Sequence, residues 1–371
     1  MHLYVHVPFC ARRCSYCDFA IAVRPEVPVA EFVAGIAREL ELRSLGGDTL
    51  DTVYFGGGTP SKLGGDGVAR LLDAVRERFT IAPAAEVTLE TNPEDVSAGA
   101  VRAWRDAGIN RLSLGAQSFD DRVLTWMHRT HDASDIARSV GVARDEGVEN
   151  ISVDVIFALP ESLERDWRRD LEQASALAPD HISAYGLTVE PATPLGRWTA
   201  RGDVVEPPEE RWADEFIGAH TMLGDAGYAH YEVSNYARNG RRARHNEAYW
   251  LDRAYLGVGP SAHGFDGTSR RWNERAYAKW LARVSAGEDP VEGSEMLTAD
   301  QRVAERVYLG LRSDRGLELE PADLEVVVPW EEAGWGTIAT RHSSRTLVLT
   351  VTGWMRLDAL AAALTSFRSR Y

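Results

Sequence analysis

The sequence predicts an α/β protein: a parallel sheet built from six successive strand–helix units, followed by a smaller C-terminal α/β unit. Three observations predict it. Short runs of strand character alternate with longer segments of helical apolar spacing as far as about residue 187. Polar residues fall at the exit ends of those runs, where parallel α/β folds gather ligand-binding groups. The composition then shifts from about residue 290, where the strict alternation stops.

Each element has its own signal. Leu3-Tyr4-Val5-His6-Val7 is a short strand ended by Pro8, and Val29 to Leu42 has helical spacing with Glu and Arg between the apolar positions. Thr52 to Phe55 is a strand that breaks into Gly56-Gly57-Gly58-Thr59-Pro60, and a helix over 66–79 follows with Asp66 as its cap. Strand Glu86–Glu90, a helix over about 97–107, and strand Arg111–Gly115 come next. Helices over about 119–126 and 134–146 lead to strand Ile151–Phe157; helix 164–177 precedes strand His181–Leu187. Alternation of this kind reads as a parallel sheet. Periodicity does not distinguish an open sheet from one closed into a barrel. Beyond 290, Ala299–Leu311 is an amphipathic helix, Thr346–Thr350 a strand and Met355–Leu364 a final helix.

The chemistry begins at Cys10, Cys14 and Cys17, the chain's only cysteines, on the loop after the first strand. A structural zinc site wants four ligands in two pairs, and this spacing lacks the second pair. It suits an iron–sulfur cluster held by thiolates. Three thiolates on a four-iron cluster leave one iron open for a ligand. Glu90, Gln117 and Asp154 lie at or near strand exits, and Asp154 is an acid inside the apolar run ISVDVIFALP, costly to bury without a partner.

The C-x3-C-x2-C spacing, with Tyr16 before the last cysteine, resembles the radical S-adenosylmethionine (SAM) superfamily. The stretches LYVHVPFC, FGGGTPS, LETNPE, RLSLGAQSF, HRTH, ISVDVIFALP and HISAYGLTVEP further resemble its oxygen-independent coproporphyrinogen III oxidase group. The resemblance implies a partial (β/α)6 barrel over 1–240 and a [4Fe–4S] cluster on the three cysteines whose open iron is chelated by SAM. It places Tyr4, Tyr16, Gly57, Gly58, Thr59 and Glu90 around SAM. Gln117, Arg129 and Asp154 match positions that contact SAM as well, in the oxidase a second molecule of it. It also implies a winged-helix-like domain over 291–371. Two departures stand out: the family usually has glycine where Ala158 and Glu161 stand.

Within the group, the oxidase carries a fourth cysteine where this chain has Phe19, and a long extension before the first strand. Both differences favour the heme-chaperone branch. So does His245-Asn246-Glu247-Ala248-Tyr249-Trp250, an H-N-x-x-Y-W pattern typical of that branch, in the connecting region 241–290. A neutral imidazole is a good axial ligand for heme iron. On this expectation His245 ligates heme while Tyr249 and Trp250 supply flat apolar surface. Arg241, Arg242 and Arg244 stand upstream, in position to meet propionates. His6, His128, His131 and His263 are further ligand candidates that the sequence does not rank. The implied function is binding heme and delivering it to membrane-bound hemoproteins, with a homodimer as a further expectation. The alternative is oxidative decarboxylation of coproporphyrinogen III to protoporphyrinogen IX.

Bulk properties set the surroundings. A formal charge of −15 over 371 residues excludes nucleic acid as the main partner, because phosphate recognition needs a basic surface. No basic-then-apolar leader opens the sequence, no apolar run is long enough to span a bilayer, and three clustered cysteines suit a reducing compartment. A cytoplasmic protein, peripheral at the membrane during heme transfer, is expected.

Overall fold

The computed structural model describes residues 1–43, 48–341 and 344–369. Six strands run β1 (His2–Val7), β2 (Thr49–Gly57), β3 (Thr80–Thr91), β4 (Arg111–Gln117), β5 (Ile151–Phe157) and β6 (His181–Gly186). The helices between them include α1 (Val29–Arg43), α2 (Gly64–Arg76), α3 (Ala98–Ala107), α4 (Asp121–Trp126), α5 (Ala133–Asp145) and α6 (Trp167–Ala176). Side chains of Ser97, Asp120, Asp132 and Asp166 cap α3 to α6, each worth about 1 kcal/mol. Asp66 does not cap α2: it lies inside the first turn, 3.8 Å from Arg70, and the chain enters the helix through a 3₁₀ turn over Pro60–Leu63.

The strands are strictly two-faced. Leu3, Val5, Val53, Phe55, Leu89, Leu112, Leu114, Val153 and Val155 are fully buried. The intervening positions are polar or aromatic: Tyr4 and His6, Thr52 and Tyr54, Glu86 and Glu90, Arg111 and Ser113, Ser152 and Asp154, His181 and Ser183. A period of two therefore puts one apolar face under the helices and one polar face inward.

Strands β1 to β6 lie side by side in chain order and all pair parallel. Right-handed crossovers that step always in one direction put every helix on one side. This is the strand order of a (β/α)6 partial barrel, as expected. The sheet continues at both edges. Strands β7 (Ala229–Glu232) and β8 (Asn235–Ala237) add antiparallel to β6. Strand β9 (Tyr255–Val258) pairs parallel with β1 and starts an antiparallel run through β10 (His263–Phe265), β11 (Ser269–Asn273) and β12 (Val291–Met296). Among the described residues the two outer edges, β12 and β7, do not pair, so the twelve-stranded wall stays open.

After α7 (Pro194–Ala200) and α8 (Glu209–Asp225), a short helix α9 (Arg244–Trp250) lies against the entry ends of the strands; α10 (Tyr277–Ser285) packs on α1. The C-terminal unit has α11 (Ala299–Leu311), α12 (Leu324–Glu332), α13 (Val351–Trp354) and α14 (Leu357–Arg368). They pack with a three-stranded sheet of β13 (Leu317–Glu318), β14 (Gly336–Arg341) and β15 (Ser344–Leu349). Strand β14 carries β-branched Thr337, Ile338 and Thr340 and pairs antiparallel with β15 along its whole length. Among the described residues no helix is long and apolar enough to cross a membrane.

Candidate functional site

The cysteine loop is tied at both ends and in its middle. Phe9–Cys10 pairs with Ala22–Val23, the Ser15 N–H donates to the Met127 carbonyl at 3.1 Å, and the Leu195 N–H donates to the Ser15 carbonyl at 2.8 Å. The glycine turn after β2 clamps the loop from below. The Gly58 N–H donates to Val7 and the Thr59 N–H to Phe9, both at 2.8 Å. A Cβ at Gly58 would meet the Pro8 carbonyl carbon at 2.7 Å, and Gly57 holds φ +115° with the His6 ring 2.6 Å from any Cβ. The close approach these glycines permit is thus partly to the protein itself, leaving their other side on the cavity.

Cys10, Cys14 and Cys17 open onto a cavity of about 470 Å³. The Thr59 hydroxyl lies 3.5 Å from Cys10 Sγ, and Arg129 Nη1 3.5 Å from Cys14 Sγ. Arg129 is held by Asn92 Oδ1 at 2.7 Å and the Gly115 carbonyl at 3.0 Å, while its buried Nε has no partner. Among the described residues no three His, Cys, Asp or Glu side chains gather round one point as a single-ion site requires. All three thiols line the cavity wall.

Two carboxylates face them. Glu90 accepts from the Tyr54 hydroxyl at 2.7 Å and the Gly57 N–H at 3.0 Å. Loss of water pushes its pKa up to about 7, against these two hydrogen bonds and with help from the charge of Asp154. Asp154 accepts from Ser113 at 3.1 Å and Ser152 at 3.3 Å. Burial raises its pKa too, opposed chiefly by hydrogen bonds from Ser183 and Ser113. The charge of Arg111, which is tied to Asn150 Oδ1 at 2.6 Å, opposes the rise as well. Two buried acids on one wall, both held above their ordinary pKa by loss of water, suit a ligand that brings positive charge.

Of the residues expected around SAM, Tyr16, Gly57, Gly58, Thr59, Glu90, Gln117, Arg129 and Asp154 all line this cavity. Tyr4 does not: it stacks behind Tyr54 and bonds His6 Nδ1 at 3.1 Å. Gln117 holds φ +71° at its strand's exit. The cavity also takes Tyr54, Asn92, Arg111, Ser113, His181 and Tyr185, which motif reading passed over. Their signal was alternation, since most occupy inward positions of strands already recognised. Ala158 holds φ +57°, a conformation in which glycine is the unstrained residue, and its N–H donates to Glu215 at 2.7 Å.

The H-N-x-x-Y-W helix is placed differently from expectation. His245 is 1% exposed, and both ring nitrogens are engaged, by Thr52 Oγ1 at 2.7 Å and the Tyr249 hydroxyl at 2.8 Å. Burial, with a smaller contribution from His2, pushes its pKa down to about 3. Tyr249 packs edge-on against Tyr255, and Arg312 lies 4.2 Å above the Trp250 ring. Neither aromatic lines the cavity, whereas Asn246 does. Glu86 receives the backbone N–H groups of Arg244 and His245 at 3.2 and 3.0 Å, fastening α9 to the strands. The structure therefore makes His245 a buried connector of helix to sheet rather than an imidazole open to a ligand. Arg241, Arg242 and Arg244 line a separate cavity of about 420 Å³. There Arg242 pairs with Asp314 and Arg244 donates to the Ala84 carbonyl at 2.6 Å.

Known proteins resemble this chain in sequence and in fold. The family model of the radical SAM superfamily matches residues 4–174. The chain is 38% identical over 370 residues to the heme chaperone HemW of Mycobacterium tuberculosis (strain H37Rv), covering 98% of this chain and 94% of that one. It is 38% identical over 267 residues to HemW of Escherichia coli, covering 71% and 70%. A mouse mitochondrial radical S-adenosyl methionine domain-containing protein 1 is 36% identical over 326 residues, covering 85% and 74%. Among solved structures, Escherichia coli coproporphyrinogen III oxidase (HemN) superposes with a TM-score of 0.82 at 21% identity, over 98% of this chain and 90% of that one. At that identity the likeness is one of fold.

Proposed function

The chain belongs to the radical SAM superfamily and, within it, to the HemW group, and from that premise we propose that it is a heme chaperone. In this reading it carries a [4Fe–4S] cluster on Cys10, Cys14 and Cys17, chelates SAM at that cluster, binds heme, and hands the heme to a membrane-bound hemoprotein. It works in the cytoplasm, with peripheral contact to the membrane during transfer. The observation that carries the reading is the donor set: the chain's only three cysteines open on one cavity beside two carboxylates.

The residues fit a cluster and SAM. A cluster is held by cysteine thiolates, and three line this one cavity. The unpartnered Nε of Arg129, buried beside Cys14, is a donor with no acceptor in the protein, as expected beside an anionic cluster or ligand. When bound, the cluster supplies an iron with an open coordination position and an electron reservoir. The chain's own residues do the rest. Thr59 and Arg129 lie beside the sulfurs, and the glycine turn holds the loop. Glu90 and Asp154 would hold the positive end of SAM. Tyr54 fixes the Glu90 carboxylate by its hydrogen bond.

A second reading, oxidative decarboxylation of coproporphyrinogen III, draws on Gln117, Arg129 and Asp154 lining the cavity together. Phe19 in place of the oxidase's fourth cysteine speaks against it.

The test is anaerobic reconstitution followed by three measurements. The expected results are a cluster EPR signal perturbed by SAM and lost in Cys14→Ser, transfer of bound heme to membranes holding an apo-hemoprotein, and no conversion of coproporphyrinogen III. Turnover of coproporphyrinogen without heme transfer would replace this reading with the oxidase.

A further inference from the structure

The cluster cavity changes character from floor to rim. Its floor is buried and polar, with Arg111 at 2% exposure, His181 at 1% and Ser113 at 6%. Its rim is apolar and open. Phe19 is 58% exposed and Tyr185 42%, two of the chain's few exposed large hydrophobic side chains, and Leu187 stands beside them. Phe19, Tyr185 and Leu187 together offer apolar surface to a ligand in this cavity. Arg12 also lines the cavity, is exposed, and has no ion pair among the described residues.

The rim carries one imidazole. Of the ten histidines, nine are described. His6, His131, His181, His230 and His245 have both ring nitrogens within hydrogen-bond reach of partners. His2 and His220 have one engaged and lie off the cavity, and His263 stacks on Trp272 at another surface. Only His128 and His181 line the cavity, and only the His128 ring has no hydrogen-bond partner among the described residues. Its ring is propped edge-on against Trp198, centroids 5.8 Å apart at 79°. Its backbone holds φ +63°, which costs a non-glycine residue about 1–2 kcal/mol. Strain is tolerated here at a residue that presents an uncommitted imidazole to a cavity.

Heme asks for these groups together: a neutral imidazole for its iron, apolar surface for its ring, and a guanidinium for a propionate. We infer that heme docks at the rim of the cluster cavity, with the His128 imidazole ligating its iron, Phe19 and Tyr185 against its ring, and Arg12 at a propionate. The inference rests on the heme-chaperone reading and gives it a place. It moves the ligand from His245, which is sealed into the barrel floor, to the same mouth that opens on the cluster cysteines.

The test is an anaerobic hemin titration of the cluster-reconstituted chain, followed by its Soret band. His128→Asn removes the imidazole while keeping a residue that accepts the left-handed conformation. It is expected to weaken hemin binding at least tenfold and to shift the Soret band, and His245→Gln to leave the band where it was. In His128→Gly, added imidazole is expected to restore the wild-type spectrum. The inference is overturned, with the chaperone reading intact, if His128→Asn titrates like wild type or if His245→Gln alone abolishes the band. Should Asn disturb the fold, as circular dichroism would reveal, imidazole rescue of His128→Gly decides the matter by itself. A wild-type chain that binds no hemin overturns the reading and the inference together.

Discussion

Glu90→Gln tests the electrostatic role of the cavity wall. The Glu90 carboxyl is held at about 7, above its ordinary 4.5, chiefly because the wall removes it from water. The groups facing it are the Tyr54 hydroxyl, the Gly57 N–H and the carboxyl of Asp154, with Tyr4 and Tyr185 alongside. None is a cation. A folded-state pKa raised above the unfolded value means the protonated form is favoured in the native chain. The stability it contributes is complete below 4.5 and is lost as pH climbs through 7, a total of about 3 kcal/mol for a shift of this size. A cationic ligand reverses the preference, since it binds the ionised carboxylate. With a pKa near 7, roughly a tenth of Glu90 is ionised at pH 6 and roughly nine-tenths at pH 8, so apparent affinity rises about tenfold, or about 1.4 kcal/mol. Calorimetric titration with SAM at pH 6 and pH 8 reads this directly. Wild type is expected to bind about tenfold more tightly at pH 8, and Glu90→Gln to bind weakly with a flat profile. Equal wild-type affinity at the two pH values, or an unchanged tenfold slope in Glu90→Gln, would refute the reasoning.

Three further outcomes are expected. Ala158→Gly relieves a left-handed alanine, and after the greater chain entropy of glycine is subtracted, urea unfolding should show a gain of about 0.5–1 kcal/mol. Gly58→Ala drives a Cβ into the Pro8 and Phe9 carbonyls, so the cysteine loop must shift. Iron and sulfide content after reconstitution should fall well below wild type, with a stability loss of about 1–3 kcal/mol. Glu39, fully buried in α1, accepts from the Gly259 N–H at 2.8 Å, Asn273 at 2.6 Å, Trp280 at 2.7 Å and Arg43 at 2.9 Å. Glu39→Ala leaves the Arg43 charge unpaired in the core and should cost about 3–5 kcal/mol by denaturant unfolding, with Glu39→Gln costing less.

The sequence by itself determined the strand–helix alternation, the cysteine loop and the acids at strand exits. All of these are local: a period of two, a breaker or a spacing along one segment is enough to specify them. Arg129 shows the limit, since in sequence it is an ordinary charged residue after a short helix. Only the packing of the 127–131 turn against the cysteine loop brings its guanidinium to Cys14. Tyr54 and Arg111 likewise lie in recognised strands, yet their place on the cavity depends on which way each strand faces and on its register with its neighbours. His245 is the converse case. Its motif suggested an open ligand, but β2 and α9, almost two hundred residues apart in sequence, close on the imidazole from both sides. His128, in a left-handed turn beside Trp198, keeps its ring free of hydrogen-bond partners among the described residues. Spacing along the chain states which chemistry a segment can carry; which side chains keep a free atom for a ligand is a property of long-range contacts, and the tertiary structure alone decided it.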